Sequence, residues 1–234
     1  MAIEKYPARF ELDAPLEVAN WRPLVQWLLA IPHLFIVNVL SAVANVLAFV
    51  SFFAVLFTQR IPDGIVGFQA MVLRYQYRVL TYVHFMREDY PPFSFETVEL
   101  DDGIDQTRLS IENPGEMNRW LPLVKWLMLI PHIIVVVVLA IGAVFVGIVA
   151  FFAVLFTGKF PEGMRNYILG VARWALRINF YGMFLTDEYP PFSLDQSPPL
   201  GGGQAPGAGG TPPPPPPAAP TTPPAPPPPT APPA

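Results

Sequence analysis

The 234 residues are 52% hydrophobic and only 14% charged, against a charged share of roughly 25% in soluble domains, and the net charge is −4. The basic residues are scattered, which argues against nucleic acid as a partner. Cysteine is absent, which excludes disulfides, thiolate catalysis and cysteine-based zinc sites.

Residues 1–15 carry Glu4, Lys5, Arg9, Glu11 and Asp13 and lack an apolar core with a cleavage site. A cleaved signal peptide is therefore not expected, and the first long apolar helix is expected to act as the insertion signal. Beyond this start the chain is duplicated. Residues 21–95 recur without a gap as 120–194, at an offset of 126 − 27 = 99 set by Trp27 and Trp126, with 33 identities in 75 pairs.

Each copy has four parts. A short alternating piece, Tyr6 to Leu12 in the first copy and Gln106 to Ile111 in the second, predicts a strand. Next, Trp21 to Ile31 and Trp120 to Ile130 are too short to cross about 30 Å of hydrocarbon. Their paired tryptophans predict a helix in the membrane interface, ended or kinked by Pro32 and Pro131. The third part, His33 to Phe57 and His132 to Phe156, reaches about 37 Å at 1.5 Å per residue, long enough to cross with tilt. Asn38, Ser41 and Asn45 share one face of it and predict interhelical hydrogen bonds rather than a transport path, since Val137, Ala140 and Val144 replace them in the second copy. Thr58 to Gly64 and Thr157 to Gly163 then mark a return to water.

The fourth part is a mostly apolar helix, Ile65 to Met86 and Met164 to Leu185. Arg74 and Arg78, and their counterparts Arg173 and Arg177, lie four residues apart and so share one face. A narrow polar stripe on an apolar cylinder predicts a helix packed among others with its charges turned inward. Tyr90-Pro91-Pro92-Phe93-Ser94 and Tyr189-Pro190-Pro191-Phe192-Ser193 read as helix terminators with aromatic anchoring. Residues 197–234 are almost wholly Pro, Ala, Gly and Thr and predict a disordered, polyproline-biased tail. The expected organisation is a first membrane repeat over 1–98, a second over 99–196 and the tail over 197–234.

Close similarity of the interfacial elements predicts that both copies sit the same way up, hence an even number of crossings per copy. Four spans are the simplest solution. The alternative keeps the arginine helices in the interface and leaves two spans. With four spans the Lys and Arg distribution places both termini in the cytoplasm. The strand-like pieces, Phe93 to Leu100 among them, then share one face and are expected to form a small antiparallel sheet capping a mainly α membrane bundle.

No catalytic constellation is present: no metal-ligand spacing accompanies His33, His84 or His132, and no phosphate-cradling loop or nucleophile elbow occurs. Neither cofactor nor metal is expected. Charges at membrane depth cost roughly 2.5–3.5 kcal/mol each, so Arg74, Arg78, Arg173 and Arg177 require a compensating gain. They either pair with acids and carbonyls inside the protein or form a basic pocket in contact with a lipid headgroup.

Trp27 to His33, Phe53 to Thr58, Arg74 with Arg78, Tyr90 to Ser94, and the second-copy runs Leu155 to Pro161 and Thr186 to Ser193 together resemble a prokaryotic membrane family catalogued as domain of unknown function 4389. The resemblance implies an integral membrane protein with two tandem domains and implies no activity. The expectation is a non-enzymatic, multi-pass plasma-membrane scaffold or accessory subunit in contact with anionic lipid. Protein partners are expected through the Pro-rich tail or by homo-oligomerisation. The alternative is a small-solute or lipid carrier with a path between the repeats.

Overall fold

A computed structural model describes residues 6–97 and 105–195. The order is β1 (Ala8–Leu12), α1 (Arg22–Leu29), α2 (Ile31–Thr58), α3 (Asp63–Val83), β2 (Thr107–Ile111), α4 (Pro122–Thr157) and α5 (Glu162–Gly182). Both repeats belong to one compact unit. The fold is mainly α with a two-stranded antiparallel sheet. The tail and residues 98–100 of the expected third strand lie outside the described residues, and residues 93–97 form no strand.

The two prolines act differently from each other, and only Pro131 departs from expectation. Pro131 lies inside α4, which runs through it without a break for 36 residues. In the first copy only Ala30 interrupts the helix, with φ −79° and ψ −15°, so α2 continues α1. Pro32 falls in the first turn of α2, where its missing N–H is not needed. At position 131 the long apolar run carries the helix past one lost hydrogen bond. The separate helix expected before each proline is therefore present in the first copy as α1 and absorbed into α4 in the second.

The sheet reveals how the copies are related. Phe10 lies opposite Leu109. Since 10 + 99 = 109, this central pair joins repeat counterparts, and the pairs on either side are exchanged about it (Ala8 with Ile111, Leu12 with Thr107). A pseudo-twofold axis therefore passes between Phe10 and Leu109, perpendicular to the sheet. The strands are also exchanged: β1 of the first repeat packs on α5 of the second, and β2 packs on α3 of the first. Phe10 is fully buried, with its ring edge-on to Tyr77 of α3 at 4.9 Å between centroids.

The same axis fixes the sense of the long helices. Val18 N–H, ahead of α1, donates to Gly158 O at the end of α4 (2.9 Å). Its counterpart, Met117 N–H ahead of α4, donates to Gln59 O at the end of α2 (2.8 Å). Each long rod therefore begins where the other ends, and α1–α2 runs antiparallel to α4. Aromatic contacts agree: Phe52 of α2 packs on Phe184 after α5, and Phe151 of α4 on Phe85 after α3, at 5.7 and 5.8 Å. Phe85 and Phe184 hold φ of 58° and 65°, a left-handed conformation unfavourable for a bulky side chain. Packing of each ring against the other repeat's long helix offsets that strain.

The four-span expectation finds no support. Among the described residues two helices, α2 and α4, are long and apolar enough to cross a membrane. Helices α3 and α5 are instead the core: Val72, Leu73, Tyr75, Leu176 and Phe180 are buried there. Their apolar surface faces protein on most sides, which hydropathy alone does not distinguish from a face turned to lipid.

Candidate functional site

Arg74, Arg78 and Arg173 reach from α3 and α5 to the opposite repeat, and Arg177 reaches the segment that follows its own helix. Arg74 Nε–H donates to Leu109 O on β2 (3.3 Å), and Arg173 Nε–H donates to Phe10 O on β1 (3.1 Å). Arg78 forms an ion pair with Asp105 (3.6 Å), which Arg87 also engages. Arg177 donates through one terminal nitrogen to Ser193 O (2.9 Å) and through the other to Asp195 O. Burial lowers the proton affinity of both Arg173 and Arg177. All four thus have acceptors within the protein, and a lipid headgroup would have to compete with those acceptors. The geometry supports the internal-pairing account. Asp105 lay outside the sequence reading, although it stands two residues ahead of β2 and is itself almost fully buried.

The two helix-start histidines build a second duplicated feature. His33 and His132 are fully buried. His33 Nδ1 lies 2.6 Å from Tyr75 Oη, and Trp174 Nε1–H donates to His132 Nδ1 (3.0 Å). Each imidazole stacks on the phenylalanine of its own Tyr-Pro-Pro-Phe element, Phe93 at 4.3 Å and Phe192 at 3.8 Å. Tyr90 and Tyr189 complete the boxes and donate through their hydroxyls to Leu29 O (3.3 Å) and Met128 O (3.2 Å). The terminator elements therefore clamp the start of each long helix. Their identity in both copies was the available signal, and it was read only as anchoring.

Position 26 and its counterpart 125 repeat this logic. Gln26 Nε2–H donates to Arg87 O (2.7 Å), and Lys125 Nζ–H donates to Thr186 O (2.6 Å). Both side chains are essentially buried. Two chemically different residues share one task, supplying an N–H to the carbonyl that follows the arginine helix. Of the polar residues on α2, Ser41 Oγ accepts from Gln76 Nε2–H (2.7 Å), the expected interhelical bond, whereas Asn38 bonds Leu34 O on its own helix.

The third feature is the outer surface. Along α1–α2, residues Pro23, Gln26, Ala30, His33, Ala44 and Val55 mark one buried stripe, and most of the remaining circumference is apolar and exposed. Helix α4 repeats this. No charged residue occurs between Ile31 and Thr58 or between Trp126 and Thr157. Where the long helices meet α3 and α5 near the axis lies a cavity of about 570 Å³ between Leu34 and Val37 of α2 and Val136 and Ala140 of α4, with Gln76 and Asn179 among its few polar groups. Among the described residues no group of three His, Asp or Glu side chains is placed to hold a metal ion.

The family model described as Domain of unknown function (DUF4389) matches residues 20–94 and again 121–193. The two matches cover more than half of the chain and coincide with the two repeats, so the chain belongs to this family, in two tandem copies. No curated protein and no solved structure matches it.

Proposed function

We infer that this is a non-enzymatic membrane protein, a scaffold or accessory subunit held in lipid by the outer faces of α2 and α4. The observation that carries this reading is the exposure of large apolar side chains along both rods, such as Phe35, Phe49, Ile134 and Phe145, on helices without an exposed charge. Patches of this extent exceed what a soluble monomer exposes and mark interaction surfaces. Exposed Trp21, Trp27, Trp120 and Trp126 near the rod starts suit the headgroup level, where indole rings settle.

Lipid contact in this reading comes from aliphatic and aromatic side chains, while Arg74, Arg78 and Arg173 join the repeats and Arg177 holds the end of its own. Anionic lipid adds at most a peripheral contribution through exposed groups such as Lys159 and Arg60. A stable scaffold accords with the absence from the sequence of a recognisable catalytic motif and with a polar interior occupied by structural bonds. The Pro-rich tail and self-association remain the proposed routes to protein partners.

The test is fractionation of cells expressing the full chain. The protein should stay with membranes through high-salt and alkaline washes and leave them only in detergent. Release by salt or alkali alone refutes the reading. The cavity favours one second reading, a carrier for a lipid chain; copurification of one stoichiometric lipid, lost on replacing Val37 and Val136 by Phe, would support it over the scaffold.

A further inference from the structure

The pseudo-twofold axis orders the molecule in layers. The sheet stands on it at Phe10 and Leu109. Next α3 meets α5, where Tyr77 Oη–H donates to Ala172 O (2.9 Å). Beyond the cavity, α2 and α4 form the last layer. A rod whose start is hydrogen-bonded to the end of its symmetry mate cannot run along the axis. Along-axis rods would point the same way, with their starts together and their ends together. The rods therefore lie across it.

We propose that this axis stands along the membrane normal, so that α2 and α4 lie flat within one leaflet and neither crosses the bilayer. The inference rests on the membrane reading above and specifies its geometry. Phe35, Val46 and Phe57 are 71%, 64% and 74% exposed, and their counterparts Ile134, Phe145 and Phe156 are 61%, 65% and 76% exposed. Successive members are eleven residues apart, close to three helical turns, so each trio shares one outward stripe about 33 Å long at 1.5 Å per residue. A single plane of contact needs such stripes on both rods.

The crossing arrangement fails on charge. Antiparallel rods that span would place the axis in the membrane plane and hold the sheet beside the hydrocarbon at mid-depth. Arg9, Glu11 and Arg108 are half-buried there and Asp13 is exposed, with Arg108 and Asp13 paired at 3.5 Å. Charges at that depth cost roughly 2.5–3.5 kcal/mol each on insertion scales. With the axis along the normal, the same residues face water. Exposed Glu17 with Lys159, and Arg60 with Glu116, then sit at the two ends of the apolar layer, at its rim. Acyl chains are the occupant this face fits. The long outward stripes offer no exposed charge by which a folded partner would be oriented, and the charges lie at the rim and on the opposite side, as an interfacial amphiphile requires.

The test places a nitroxide on Phe35→Cys, Val46→Cys or Phe57→Cys, one at a time, in the full chain, which has no other thiol. Each is reconstituted into phosphatidylcholine–phosphatidylglycerol vesicles, and depth is read from the contrast between oxygen and nickel-chelate accessibility. Equal depths for all three support the proposal. A Val46→Cys label deeper than both others by on the order of 15 Å, the rise of eleven helical residues, overturns it and leaves the membrane reading standing. Labels shielded from lipid in a protein that floats with the vesicles overturn it too, in favour of a second copy on this face. Failure to float at all refutes the membrane reading itself.

Discussion

Replacing Phe10 by Ala should weaken the junction between the repeats more than any surface change. The ring is fully buried on the axis, opposite Leu109, and edge-on to Tyr77 at 4.9 Å. Truncating a buried Phe to Ala costs about 3–5 kcal/mol, including the cavity left behind. The site has little means of collapse, because β1 is fixed on one side by its ladder with β2 and on the other by Arg173 Nε–H to Phe10 O. At roughly 2–4 °C per kcal/mol for a chain of this size, the melting temperature should fall by about 6–20 °C. Phe10→Leu should lose less than half of that, since it keeps most of the volume. The assay is thermal denaturation followed by circular dichroism in one detergent for all three proteins. A Phe10→Ala protein melting within 2 °C of the parent, about 1 kcal/mol or less, would refute the exchanged-strand junction.

Three further outcomes follow from named contacts. Arg74→Gln and Arg173→Gln should each destabilise by about 1.5–3 kcal/mol, the range for a buried hydrogen bond to a charged group, with copurifying phospholipid unchanged; a selective loss of lipid at parental stability would restore the headgroup account. The two rods end on left-handed residues, Gln59 (φ 59°) and Gly158 (φ 66°). Gln59→Gly should therefore stabilise by up to about 1 kcal/mol, while Gly158→Gln should destabilise by more than that, since its Cβ would meet Asn20 Oδ1 at 2.6 Å; equal and opposite melting shifts would count against this. Tyr75→Phe removes the hydroxyl beside His33 Nδ1 and should cost about 1–2 kcal/mol, an effect abolished in a His33→Phe background; additivity in that double-mutant cycle would contradict the bond.

Much of this architecture was legible in the chain. The offset of 99 set the repeats, apolar length gave α2 to within two residues at each end and α4 at its C-terminal end though not its start at Pro122, and alternation found both strands. The inward turn of the arginines followed from a narrow polar stripe. The exchange of strands did not follow, because five residues such as Ala8–Leu12 carry a pattern for one buried face and no signature of which helix supplies it. Direction was equally hidden. Hydropathy measures how long a helix is, and the two rods read the same whether parallel or antiparallel. The burial of α3 and α5 among other elements was legible in the same stripe, but not that the sheet and the other helices, rather than a membrane crossing, account for their apolar surface. Pro131 misled because the local rule, that proline stops a helix, is weaker than an apolar run extending more than twenty residues beyond it.

The antiparallel, exchanged arrangement of the two repeats is tested most directly by paired cysteines in an otherwise thiol-free chain. Glu17 and Lys159 face each other across an isolated β-bridge, within the usual reach of a disulfide. Oxidation of the Glu17→Cys, Lys159→Cys protein should give an intramolecular crosslink, and the Arg60→Cys, Lys159→Cys protein should give none, because those residues stand at opposite ends of the apolar layer. A crosslink between positions 60 and 159, with none between 17 and 159, would mean that the long helices run side by side in the same direction, and the account would be wrong.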